Sequence, residues 1–249
     1  MIRVHGLNFG FGRRMVLQDL SIDVEEMRTT VIVGKSGIGK SVLLRCITGL
    51  LTPQAGSVLI DGREVVGATR QGLLEIRAKI GMLFQEGALF DSMTVYDNVA
   101  FPLSYHKTAS SSEIHRKVMS YLELVGMVDA AKAMPRELSG GMKRKVAIAR
   151  AMIMEPKYLL YDEPTSGLDP ESSAIVEVMI KRLQADSSIT SLVVTHDIDL
   201  TRFLADRIAL MEAGTITSLE SKEDAFLESS PIYAHFIEKR ERIRQENAR

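Results

Sequence analysis

Gly34-Lys35-Ser36-Gly37-Ile38-Gly39-Lys40-Ser41 has the residue types and spacing of a phosphate-binding P-loop. Its glycines let backbone N–H groups wrap phosphate oxygens. Lys40 places a charge on the β and γ oxygens, and Ser41 offers a hard oxygen to Mg²⁺. An apolar run at residues 30–33 precedes the loop and the helical pattern VLLRCITGLL follows it, which is the strand–loop–helix context the motif requires.

Three further groups suit the same chemistry. Tyr158-Leu159-Leu160-Tyr161 runs into Asp162-Glu163, a hydrophobic strand ending in paired carboxylates. Asp162 can hold Mg²⁺ directly or through water, and Glu163 is then placed to orient or deprotonate a water attacking the γ-phosphate. Gln85 ends another apolar run and can ligate Mg²⁺ through its carbonyl while sensing the γ-phosphate. His196 follows a fourth run; its alternatives are a structural histidine and one that hydrogen-bonds the γ-phosphate or the attacking water. Asp169-Pro170 combines an N-cap residue with proline at the first helical position, so it starts a helix, and a second role beside Glu163 stays open. Far downstream of the P-loop, Leu138-Ser139-Gly140-Gly141 opens a helix with a second anion-binding end. One chain thus carries two phosphate-binding elements.

The elements that must position these groups are legible. Short apolar runs without polar alternation (residues 30–33, 80–84, 158–161, 191–194 and 208–211) suit strands buried on both faces of a covered parallel sheet. Four of the five end in Gly34, Gln85, Asp162-Glu163 or Thr195-His196, and ligands bind beyond the carboxyl ends of such strands. RVHGLNFGF and VLQDLSIDV alternate around a turn at Gly12-Arg13-Arg14, and SVLIDG adds a third strand, which predicts an antiparallel β subdomain. Ile114, Val118, Leu122 and Val125 form a helical stripe inside an inserted helical subdomain. The expected organisation is one α/β domain over 1–249: a core with β subdomain at 1–86 and 156–220, helices at 87–155 and a C-terminal extension at 221–249.

The 249 residues are 45% apolar and 25% charged with net charge −1, a globular composition with no basic excess for nucleic acid. The single Cys46 permits no internal disulfide and reads as a buried thiol rather than a reactive one. No apolar run reaches the ~20 residues of a membrane span, and the N-terminus lacks the form of a signal peptide. The expected location is cytoplasmic, and work on a membrane then needs a spanning partner. EKRERIRQENAR at 238–249 reads as a solvated helix, with contact to a partner subunit or anionic headgroups as the alternative.

Together, the P-loop, Gln85, the LSGG element, Asp162-Glu163, Ser166-Gly167-Leu168-Asp169 and His196 resemble, in order and over nearly the whole chain, the nucleotide-binding subunit of ABC transporters. The resemblance implies a P-loop NTPase fold, ATP as substrate with Mg²⁺, and catalytic roles for Glu163, His196 and Gln85. It implies nucleotide contacts from Gly34, Ser36, Gly37, Gly39, Lys40, Ser41 and Val42, and from Ser139, Gly140, Gly141 and Asp169. Metal contacts fall to Ser41, Gln85 and Asp162. An adenine-stacking aromatic is expected after the first strand, where Phe11 fits best and Phe9 is the other candidate. Two residues depart from the pattern: Met142 stands where the signature usually ends in Gln, and Met27 where a turn glycine precedes the P-loop strand.

Gly37-Ile38-Gly39, the run from Met82 to Phe90, Asn98-Val99-Ala100-Phe101-Pro102-Leu103 and the LSGGM ending resemble more narrowly the ATPases of Mce-type lipid transporters. That similarity implies phospholipid or another hydrophobic cargo in the bacterial envelope; an importer of a small polar solute such as an amino acid is the alternative. It implies a homodimer in the ATP state at the cytoplasmic face of the inner membrane, and a transmembrane permease contacting the segment from Glu86 to Leu103. An Mce-domain protein and a small regulatory subunit are further implied partners. Chromosome-maintenance ATPases need a long coiled coil between P-loop and signature, and ribosome-associated members need two P-loops; this sequence has neither. A small-molecule kinase does not need the signature.

Overall fold

The structure, a computed structural model, describes residues 1–85, 87–106, 109–185 and 189–237. Glu86 of the expected permease-contact segment and the charged run 238–249 lie outside the described residues. In chain order the elements are β1 (Ile2–Phe11), β2 (Arg14–Val24), β3 (Thr29–Val33), α1 (Lys40–Ile47), β4 (Ala55–Ile60), β5 (Arg63–Glu64), α2 (Arg70–Arg77), β6 (Ile80–Leu83) and α3 (Val95–His106). They continue with α4 (Ser111–Leu124), α5 (Gly140–Met152), β7 (Tyr158–Asp162), α6 (Pro170–Ala185), β8 (Thr190–Thr195), α7 (Ile198–Leu204), β9 (Arg207–Glu212), β10 (Thr215–Ser221) and α8 (Lys222–Ala225). Contacts divide the chain into two compact units, Met1–Gly67 with Leu192–Arg249, and Ala68–Ser191.

In the first unit the expected antiparallel sheet is present, in the order β2-β1-β4-β5. Its inward face follows period-two alternation with one slip. Ile2 and Val4 are buried at even positions, then Leu7 and Phe9 at odd ones. The pairing of β1 with β2 shifts between Val4 and Leu7, and the extra residue turns the opposite parity toward the core. A second sheet places β10, β9, β3 and β8 side by side. β3 and β9 run parallel, while β10 returns antiparallel to β9, an edge the apolar runs did not announce. All five residues of β3 are buried, as burial on both faces requires. Met27 adopts φ 57° in the turn before β3 and is exposed, so a side chain replaces the usual glycine at the modest cost of a left-handed conformation.

The helix after the P-loop is shorter than VLLRCITGLL suggests. α1 ends at Ile47 because Gly49 turns the chain at φ 66°, with Gly49 N–H donating to the Cys46 carbonyl and Leu50 N–H to that of Arg45. Likewise β4 starts before Ser57 and stops at Ile60, where Asp61 and Gly62 turn left-handed.

In the second unit β6 and β7 are parallel neighbours. β7 is wholly buried, but Ile80 and Met82 of β6 are only half-buried, so that apolar run is covered fully on one face alone. α3, α4 and α5 pack a shared core of Val95, Val99, Leu103, Val118, Leu122 and Val146. Val118 and Leu122 of the expected stripe are fully buried, and Val125 caps the end of α4. α4 starts with a reciprocal cap: Ser110 accepts from Glu113 N–H, and the Glu113 carboxylate accepts from Ser110 N–H at 2.8 Å.

Cys46 is fully buried on α1, and burial pushes its thiol up to about 12. An unfolded thiol ionises near its ordinary value of about 8.5, so stability falls as pH rises from there toward the folded value. Native protein at about pH 8 is therefore expected to react with a thiol reagent at least ~100-fold more slowly than urea-unfolded protein. Equal rates would show that the thiol is accessible.

Candidate active site

The functional groups form two sets, one in each unit. In the first unit, β3 delivers the chain to Gly34, where a side chain is impossible: a Cβ there would lie 2.5 Å from the Met211 carbonyl oxygen. The loop then encloses Lys40, which is 5% exposed, and its Nζ donates to the carbonyls of Gly34 at 2.8 Å and Lys35 at 3.2 Å. A buried ammonium thus sits within the loop, with two of its backbone carbonyls as acceptors. Ser36 and Gly37 are exposed, and Gly39 takes φ 118° as it hands the chain to α1. Lys40, Ser41 and Val42 are the first three residues of α1, whose first turn holds no acidic residue. This positive end and buried cation fit a polyphosphate.

Phe9 and Phe11 divide clearly. Phe9 is buried in the β-subdomain core, whereas Phe11 is 56% exposed and meets the Phe9 ring edge-on at 5.0 Å. An aromatic held by its neighbour yet open on one side suits stacking on a base; a core ring does not. His196 follows buried Thr195 at the end of β8 and is exposed. The next residue, Asp197, caps α7 through its Oδ1, which accepts from Asp199 and Leu200 N–H.

In the second unit β7 ends at buried Asp162, and Glu163 follows at φ 47° with 8% exposure. A left-handed backbone at a glutamate costs about 1–3 kcal/mol and is typical of functional sites. The turn closes with Ser166 N–H donating to the Glu163 carbonyl at 3.2 Å. Asp169 is the expected helix start: its Oδ1 accepts from Ser172 N–H at 2.9 Å ahead of Pro170. The Ser172 hydroxyl and backbone hold the Asp169 carboxyl below the usual carboxylate range. Gln85 is exposed just after β6. The Gln85 side-chain carbonyl and the buried Asp162 carboxylate are hard oxygen donors of the kind Mg²⁺ prefers.

Ser139 caps α5, its Oγ accepting from Met142 N–H at 3.3 Å. Ser139 and Gly140 are exposed, but Gly141 is buried against α6: a Cβ there would meet Ser172 Oγ at 2.7 Å. Met142 packs its side chain on the α3–α4–α5 core. The first turn of α5 has no acidic residue, and Lys143 and Lys145 follow. Cations near a helix N-terminus oppose the macrodipole by about 0.3–1 kcal/mol each, so this end is electrostatically prepared for an anion.

Three residues here have structural roles that the motif reading did not give them. Buried Asn98 accepts from Phe90 N–H at 2.8 Å and donates to the Phe90 carbonyl at 3.1 Å, shaping the loop beyond Gln85. Arg150 donates to the carbonyls of Gly87 and Ala88, both at 2.8 Å. Arg144 donates to the Phe84 carbonyl at 2.7 Å and the Ser166 carbonyl at 3.3 Å. The only signal for them was polarity on helix faces that are otherwise apolar.

Residues 17–166 match the family described as ABC transporter. Over 236 residues, 95% of this chain and 68% of the relative, the chain is 39% identical to the probable ribonucleotide transport ATP-binding protein mkl of Mycobacterium leprae. It is 42% identical over 206 residues, 83% of this chain and 78% of the relative, to the intermembrane phospholipid transport system ATP-binding protein MlaF of Haemophilus influenzae. It is 39% identical over 246 residues, 99% of this chain and 77% of the relative, to the methionine import ATP-binding protein MetN of Clostridium tetani. The solved dimeric post-hydrolysis state of the ATP-binding cassette MJ0796 bound to ADP and Pi superposes with a TM-score of 0.82 at 30% identity, covering 89% of this chain and 99% of that one. With its P-loop, paired carboxylates and signature helix, the chain belongs to the ABC transporter family as an ATP-hydrolysing subunit.

Proposed function

We propose that two copies of this chain close head to tail on two ATP molecules and drive a membrane permease. The observation that carries this reading is the exposed N-terminus of α5, with no acid in its first turn and lysines just behind it. In the closed dimer, Ser139, Gly140 and Gly141 of one subunit meet the γ-phosphate of ATP held by Lys40 of the other. Gly34, Ser36, Gly37, Gly39, Ser41 and Val42 surround the phosphates, Phe11 stacks on adenine, and Asp169 contributes at the junction. Met142, turned into the helical core, leaves recognition to Ser139 and backbone.

Ser41, Asp162 and Gln85 are the groups that hold Mg²⁺, which when bound neutralises charge on the β and γ oxygens. Glu163 orients and deprotonates the attacking water, and His196 hydrogen-bonds the γ-phosphate or that water. The left-handed backbone at Glu163 fixes where its carboxylate leaves the chain. The division into core with β subdomain (1–86, 156–220), signature helices (87–155) and extension (221–249) assigns hydrolysis to the first and coupling to the second.

The permease docks on the segment from Glu86 to Leu103. Phe90 and Tyr105 are exposed, and the rings of Phe90, Phe101 and Tyr105 follow one another at 4.8 and 5.9 Å, an aromatic ladder beyond Gln85. No helix among the described residues is long and apolar enough to cross a membrane. In this reading the permease supplies the span, and the subunit works at the cytoplasmic face of the inner membrane. The cargo we favour is phospholipid or another hydrophobic molecule of the bacterial envelope, with an Mce-domain protein and a small regulatory subunit as further partners. The phospholipid-transport relative supports it. The methionine-import relative, matched over nearly the whole chain, keeps a small polar solute as the second reading.

Glu163→Gln is expected to lower ATP hydrolysis by about 10²–10⁴-fold while retaining ATP binding, and to elute as a dimer in gel filtration with ATP. Hydrolysis at the wild-type rate removes Glu163 from the chemistry, and a persistent monomer counts against the sandwich. Phe11→Ala is expected to weaken ATP binding roughly 5- to 100-fold with little loss of stability, as loss of one base stack implies. Phe9→Ala, by contrast, costs about 3–5 kcal/mol of folding stability. Unchanged ATP affinity in Phe11→Ala would move the adenine elsewhere.

A further inference from the structure

Arg144 lies five residues past the cap of α5 and is 4% exposed. Its guanidinium spans two loops. Nη1 donates to the carbonyl of Phe84, the residue immediately before Gln85, at 2.7 Å. Nη2 donates at 3.3 Å to the carbonyl of Ser166, whose own N–H closes the turn on Glu163. Burial weakens its hold on the proton and the Asp162 charge strengthens it. Arg150, on the same helix, differs: both its bonds go to the single loop at Gly87 and Ala88.

We infer that Arg144 is a positioning residue for hydrolysis: its rigid planar fork fastens the backbone before Gln85 to the turn after Glu163, so that both move with α5. The inference rests on the proposed roles of Gln85 and Glu163. A guanidinium presents its donors in fixed directions, so two carbonyls bonded to one fork keep their separation. Displacement of either loop must then carry the other with it or leave a buried cation with fewer partners. Since Ser139 caps the same helix, docking of its end on a nucleotide reaches both loops through one side chain. A lysine keeps the charge but has a single point of attachment and cannot fix the spacing.

The test compares Arg144→Lys and Arg144→Met with wild type and Glu163→Gln, measuring ATP binding, kcat and KM for ATP, and urea unfolding. The expected result is that folded Arg144→Lys binds ATP within about twofold of wild type while kcat falls about tenfold, with Arg144→Met no better. A merely structural role would lower the unfolding midpoint and leave kcat per folded molecule unchanged; that result overturns the inference. So does a loss of ATP affinity equal to the loss in kcat, or kcat of Arg144→Lys within twofold of wild type. If Glu163→Gln is inactive while Arg144→Lys is fully active, only the positioning role fails. If Glu163→Gln hydrolyses ATP normally, the underlying site reading fails and the inference with it.

Discussion

A helix end that carries positive potential and no anion of its own organises this molecule. α5 opens at Ser139 without an acidic residue in its first turn, and Lys143 and Lys145 follow where they oppose the macrodipole. Folding tolerates this because the rest of α5 is paid for by burial: Val146 and Ala149, with Ile153 at its C-terminal cap, pack with α3 and α4. Gly141 lets α5 approach Ser172 of α6, which holds the exposed end in place. The helix is thus stable for reasons unrelated to its terminus, and the terminus is left available for a phosphate.

The same helix organises its surroundings through two arginines, Arg144 buried and Arg150 partly so. Arg144 and Arg150 give their donors to backbone carbonyls of the loops after β6 and β7, where side-chain acceptors would have been the simpler solution. Carbonyl acceptors tie the cations to loop shape rather than to a particular side chain. Asn98 does similar work from α3, holding both backbone groups of Phe90. The segment beyond Gln85 is therefore fastened from two helices, while its aromatic residues Phe90 and Tyr105 remain exposed.

Much of this was legible from residue order. Motifs that depend on backbone geometry narrow the residue choice sharply: a Cβ at Gly34 would strike the Met211 carbonyl, and Asp169 starts its helix as the Asp-Pro pair predicts. Fully buried strands such as β3 and β7 were legible because burial on both faces removes alternation. Other features were hidden for physical reasons. The bulge in β1 changes which parity faces the core, which spacing alone does not reveal. Phe9 and Phe11 share one parity, so alternation alone could not separate them; their burial differs because Phe11 ends the strand. Arg144 had only its polarity on an apolar helix face to mark it, and a basic residue near a helix start reads as solvated unless its carbonyl partners, distant in sequence, are seen.

The central claim is that the positive end of α5 completes the site of a second copy, and a subunit-mixing measurement of ATP hydrolysis tests it most directly. One preparation carries Lys40→Ala with an intact signature; the other carries Ser139→Arg with an intact P-loop. Neither alone contains a complete site. If the sites are shared, the mixture contains dimers in which the intact P-loop of one subunit faces the intact signature of the other, and hydrolysis rises well above that of either preparation. If each subunit instead completes its own site, the mixture stays as inactive as its components, and the account is contradicted.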